Sequence, residues 1–114
     1  LSQMMKASGT SATLNWSNIP ILPGVLDLAR AGSVSGGTAR NMEAVQDVAM
    51  REDGITDIEF MILADAQTSG GMLISVPEAK SEALVKSLVV NQTLYSAVIG
   101  RVIEGDPGIV TIWN

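Results

Sequence analysis

Asp65-Ala66-Gln67-Thr68-Ser69-Gly70-Gly71, continued by Met72-Leu73-Ile74-Ser75-Val76, joins a turn of small and polar residues to an apolar run that ends at Pro77. Adjacent glycines let the backbone bend sharply and expose its N–H groups, and the run behind them reads as a buried strand. If Gly70, Gly71 or both hold positive φ, or bring the backbone close to a ligand, alanine there should strain and reshape the loop. The hydroxyls of Thr68 and Ser69 and the glycine N–H groups are able to donate to anionic oxygens, as in a phosphate cradle. The competing reading is a tight helix-to-strand connection whose glycines serve geometry alone.

Working outward, Thr56-Asp57-Ile58-Glu59 has capping-box spacing, so a short helix with Ile58, Met61 and Ile62 on one face should deliver the chain to this loop. Pro77 should open a helix to about Val90, with Leu84 and Leu88 beside Ala83 and Val85 as its apolar face. Residues 97–103 and 109–113 flank Glu104-Gly105-Asp106-Pro107-Gly108, which reads as a hairpin turn. Toward the other end, Gly9 should close an opening helix, and Ala12, Leu14 and Trp16 alternate with polar residues like a half-buried strand. Pro23 suits a first helical position, and a short helix through Val25, Leu26, Leu28 and Ala29 should end before Gly32. Residues 33–41 form a second glycine loop, and the polar stretch 42–54 carries no clear element. The order suggests an α+β fold of helices packed on a mixed sheet.

The first loop resembles the DPQTSGG-LL-AV signature of selenophosphate synthetases, with Ala66 where that family usually has proline. Ile19-Pro20-Ile21-Leu22-Pro23-Gly24-Val25-Leu26-Asp27-Leu28-Ala29 is similar to its PLLPGALELA segment, Gly36-Gly37-Thr38-Ala39-Arg40-Asn41 to its GGT-R-N loop, and Ile99-Gly100-Arg101-Val102 to its IG-V segment. These occur in the family's order and spacing across nearly the whole chain. The related aminoimidazole ribonucleotide synthetases share the QT-GG element but not the LPG and GGT-RN pair.

The resemblance implies a layered α/β domain, partly ferredoxin-like, that forms the C-terminal domain beside an N-terminal ATP-binding domain absent from this chain. The parent reaction it implies makes selenophosphate, AMP and phosphate from ATP, selenide and water, with magnesium, in a cytoplasmic and homodimeric enzyme. In the family the catalytic Cys or selenocysteine, its lysine and the metal-binding aspartates lie outside the region present here. Thr68, Ser69, Gly70 and Gly71 of one loop and Gly36, Gly37, Thr38 and Arg40 of the other are therefore candidates for the wall of the nucleotide cleft. No catalytic residue, no metal ligand and no tightly held cofactor is expected on this chain. Arg40 has a second reading as a solvated loop charge. A synthetase of the aminoimidazole ribonucleotide type and a non-catalytic binding module are the alternatives.

Composition agrees with a single packed domain: 114 residues, 46% hydrophobic, with a mean hydropathy of +0.30. With Trp16, Phe60, Tyr95 and Trp113 the only aromatics, the core is expected to be aliphatic, with six methionines as filler. The absence of Cys and His excludes thiol and imidazole nucleophiles, a Ser-His-Asp triad and the usual zinc sites, and fits a reducing compartment. Seven scattered basic residues against a net charge of -5 argue against nucleic acid, and no apolar run approaches the roughly 20 residues of a membrane helix. Glu52, Asp53, Asp57 and Glu59 could suggest magnesium but read as a solvated face. Residues 1–7 lack an initiator methionine and read as a helix already under way, so the chain is expected to be a fragment or the second domain of a longer protein.

Overall fold

The computed structural model describes residues 1–67 and 69–114. Helix α1 (Ser2–Ser8) ends at Gly9, whose N–H turns back onto the carbonyls of Lys6 and Met5, and it buries Met5. Strand β1 (Ser11–Asn15) follows and runs into a single 3₁₀ turn (Trp16–Asn18), capped by the Asn15 side chain accepting from the Asn18 N–H. Then come α2 (Val25–Arg30), α3 (Thr38–Val45), β2 (Ala49–Arg51), α4 (Asp57–Leu63), α5 (Glu78–Val90), β3 (Gly100–Ile103) and β4 (Val110–Trp113).

The four strands form one mixed sheet in the order β2-β4-β1-β3, with β1 antiparallel to β3 and parallel to β4, and β2 parallel to β4. Helices α2, α3 and α4 cover the sheet, bringing Leu26, Met42, Val45, Ile62 and Leu63 against a core of Trp16, Ile55, Phe60, Val110 and Ile112. This is the expected α+β architecture of helices on a mixed sheet. The core is anchored by two of the four aromatics, Trp16 and Phe60, and not by aliphatic residues alone. A large ring buries more apolar area than any methionine, so the few rings present take the central places.

The expected hairpin is not formed, because β1 lies between β3 and β4. Residues 104–108 instead cross the end of β1, fastened by Ser11 Oγ donating to the Asp106 carbonyl (2.7 Å) and the Gly108 N–H donating to the Thr10 carbonyl (2.9 Å). Two strand spacings are about 10 Å, which such a connection spans easily. The close β1–β3 approach depends on Gly100 opposite Leu14, where a Cβ would lie 2.0 Å from the Thr13 carbonyl oxygen.

Residues 72–76 do not form the expected buried strand: no ladder takes them, and Met72, Leu73 and Ile74 are 87%, 45% and 51% exposed. Both edges of β1 and of β4 are already paired, so an apolar sequence finds no interior edge to join. Strand β2, inside the stretch that gave no signal, takes the outer edge of β4 instead. Helix α5 follows Pro77 as expected, with Leu84, Val85 and Leu88 half-buried but Ala83 exposed and no residue fully buried. Helix α2 begins two residues after Pro23, with Gly24 as its cap, and the 33–41 loop is shorter than expected because Thr38 already opens α3.

Candidate functional site

The two glycine-bearing stretches meet in space. Helix α4 is started by the capping box read from the sequence: Thr56 Oγ1 accepts from the Glu59 N–H, while a Glu59 carboxylate oxygen accepts from the Thr56 N–H at 2.7 Å. That backbone hydrogen bond is the main reason the Glu59 carboxyl sits below its ordinary value of 4.5, with lesser help from the Thr56 hydroxyl and Trp16. Phe60 fixes the helix in the core, and its C-terminal end at Ala64 presents Asp65 to the start of α3.

There the Thr38 hydroxyl, 1% exposed, donates to Asp65 Oδ1 at 2.8 Å. A hydroxyl has one proton, so the 2.9 Å contact between Ser35 Oγ and Thr38 Oγ1 must be Ser35 donating, which makes a relay from Ser35 through Thr38 to Asp65. Asn41, three residues along α3 and so on the same face, donates from Nδ2 to the Ala64 carbonyl at 2.9 Å. Between these bonds Gly37 passes so close to Ala66 that a Cβ on it would lie 2.7 Å from the Ala66 methyl. The Arg40 guanidinium reaches within 4.0 Å of that same Cβ position, so its charge lies over the corner where the loops touch.

Of the candidates read from the sequence, Gly37, Thr38 and Arg40 thus stand at one joint with residues 64–66, and Gly36 precedes them in the chain. Thr38 faces inward with its proton committed to Asp65, whereas Gly36 and Arg40 are exposed. Ser69, Gly70 and Gly71 are exposed, and Thr68 lies outside the described residues. Neither Gly70 nor Gly71 has positive φ; a Cβ on Gly70 would lie 2.8 Å from Oε1 of the Gln67 side chain, and one on Gly71 meets nothing within 4 Å. Beside the joint, Leu22, Val25, Leu28, Met61, Asp65 and Gln67 help to line an open groove of about 300 Å³ between α2 and α4.

Asp65 and Asn41 lie inside the two quoted motifs and Ser35 in the 33–41 loop, but the sequence names none of the three as a candidate site residue. The acidic stretch is occupied locally: Asp57 pairs with Arg51 at 2.6 Å, and Glu59 closes the cap. Among the described residues no three acidic side chains converge as a metal site.

No family model matches the chain. It is similar to curated relatives named selenide, water dikinase: 37% identical over 114 residues to one from Dechloromonas aromatica, covering 98% of this chain and 32% of that protein. A Myxococcus xanthus relative is 38% identical over 109 residues, covering 96% of this chain and 31% of that protein. Nearly the whole chain is thus similar to one part of selenide, water dikinases. A Clostridioides difficile relative is 35% identical over 114 residues, 96% of this chain and 32% of its own length, so the chain spans about a third of the curated relatives it matches. No helix among the described residues is long and apolar enough to cross a membrane.

Proposed function

We propose that this chain is the C-terminal domain of a cytoplasmic selenide, water dikinase, in which it forms one wall of the cleft where ATP, selenide and water yield selenophosphate, AMP and phosphate. The observation that carries the reading is the meeting of the two glycine motifs: stretches 27 residues apart are tied together by Thr38 and Asp65. In this reading the backbone N–H groups of Gly36, Gly37, Gly70 and Gly71, the hydroxyls of Thr68 and Ser69, and the Arg40 guanidinium face the anionic end of the nucleotide. Backbone N–H groups and a guanidinium both favour phosphate oxygens. The donors present suit phosphate rather than a metal; in the reading that the resemblance implies, magnesium and the nucleophile belong to an N-terminal ATP-binding domain of the same homodimeric protein.

Exposed Met72, Leu73, Ile74, Leu94, Tyr95 and Val98 offer apolar side chains that a covering partner domain would bury, which supports the reading. Phosphoryl transfer depends on metal and positioned charge, and among the described residues no three acidic side chains converge to hold a metal. The test is AMP formation from ATP with and without selenide. The 114-residue chain alone should make none, and the enzyme joining it to its ATP-binding domain should make AMP only with selenide present. Selenide-independent AMP formation, or AMP formation by the isolated chain, would overturn the reading.

A further inference from the structure

The joint contains more polar machinery than a connector needs. Thr38 is a polar residue at one of the most enclosed positions of the molecule, and its side-chain bonds run to Asp65 and Ser35. Asn41 is exposed, yet its amide is spent on a carbonyl of the other segment, Ala64, in place of water. Gly37 and Ala66 make the third tie by close approach. A buried hydroxyl bonded to a carboxylate has fixed length and direction, unlike an apolar contact that slides. Together with the exposed Asn41 amide bond to the Ala64 carbonyl one turn further along the helix, the Thr38–Asp65 bond restrains residues 64–66 from shifting along α3 or rotating about it.

We propose that Ser35, Thr38, Asn41 and Asp65 are positioning residues that lock residues 64–67 onto the first turn of α3 and so set the distance between the two glycine loops. None of the four touches substrate. They act through the loop residues they hold, and only their effect on turnover rests on the proposed function. Reacting groups displaced by about 1 Å lose up to about a hundred-fold in rate, so loosening the lock should be visible in catalysis well before the domain unfolds.

The test has two arms. In the 114-residue chain, ¹⁵N relaxation reads the order of the Ala66 and Gln67 amides. Thr38→Val should drop their order parameters from roughly 0.85 to below about 0.6, with β1 and β4 unchanged, and Thr38→Ser should restore them. Should Thr38→Val fail to fold, Asn41→Ala at its exposed position carries the same test. In the full-length enzyme, Thr38→Val should lower kcat by about ten- to a hundred-fold at a temperature where the protein is folded, and Thr38→Ser should recover most of it. Unchanged order at Ala66 and Gln67 in both variants overturns the lock. Lost order with unchanged kcat sustains the lock and overturns the placement of the loops at the reaction.

Discussion

Gly37→Ala and Gly36→Ala should behave as opposites although the residues are neighbours. Gly37 has φ -82° and ψ -21°, a conformation alanine adopts without strain, so any cost comes from space and not from torsion. Its added methyl would lie 2.7 Å from the Ala66 methyl, whereas apolar carbons rest at about 3.5–4.0 Å, so the segments must part by roughly 1 Å. A move of that size carries the 2.8 Å Thr38–Asp65 bond beyond hydrogen-bonding range. Overpacking of this kind costs about 1–3 kcal/mol, and a lost bond to a carboxylate lies in the same range. Partial relaxation leaves a net of about 2 kcal/mol. A chain of this length has an unfolding entropy near 0.24 kcal/mol/K, which makes that about 8 °C in Tm. At Gly36 a Cβ meets nothing within 4 Å, so Gly36→Ala should shift Tm by no more than about 2 °C. The assay is thermal unfolding of both variants and of Gly37→Ala combined with Ala66→Gly, which removes the opposing methyl and should recover most of the loss. Equal effects at the two glycines, or no recovery in the double variant, would refute the account of the joint.

Gly100→Ala should be the most damaging glycine substitution in the sheet, because its Cβ would lie 2.0 Å from the backbone oxygen of Thr13, which cannot move without opening the β1–β3 ladder. A loss of at least about 3 kcal/mol by denaturant titration is expected; a loss below about 1 kcal/mol would contradict it. Glu59 has a depressed folded-state pKa, so its contribution is present above its ordinary value of 4.5 and is lost as pH falls through the lower folded value. The Tm difference between the natural chain and Glu59→Gln should therefore be constant from pH 7 to 5 and change only below that; a change centred near neutrality would rule the cap out as its source.

What could be read from the residues was local. The Gly9 stop, the Thr56–Glu59 cap and the Pro77 helix start are each fixed by neighbours within four residues, and the structure has all three. Strand pairing depends on distant partners, and local signals do not carry it. Residues 104–108 carry every sign of a hairpin turn, yet which strand lies beside β3 is decided by β1, nearly ninety residues away. Apolar content at 72–76 measured a wish for burial, which only a free interior edge could satisfy. The glycine motifs stood out in the sequence, but their union did not, because the Thr38–Asp65 bond spans 27 residues and leaves no periodic trace.

The central claim is that this joint presents charge and donors to a phosphate-bearing substrate. Arg40 tests it most directly, because its side chain is exposed, lies over the Gly37 corner and pairs with no carboxylate among the described residues, so replacing it should leave stability alone. The measurement is selenide-dependent AMP formation by the full-length enzyme carrying Arg40→Gln, set beside its Tm. The account predicts a fall in kcat/KM of about ten-fold or more, the loss of one charge-assisted contact to phosphate, with Tm within about 1 °C of the unsubstituted enzyme. Unchanged kcat/KM at unchanged Tm would contradict it and leave the two loops a structural joint alone.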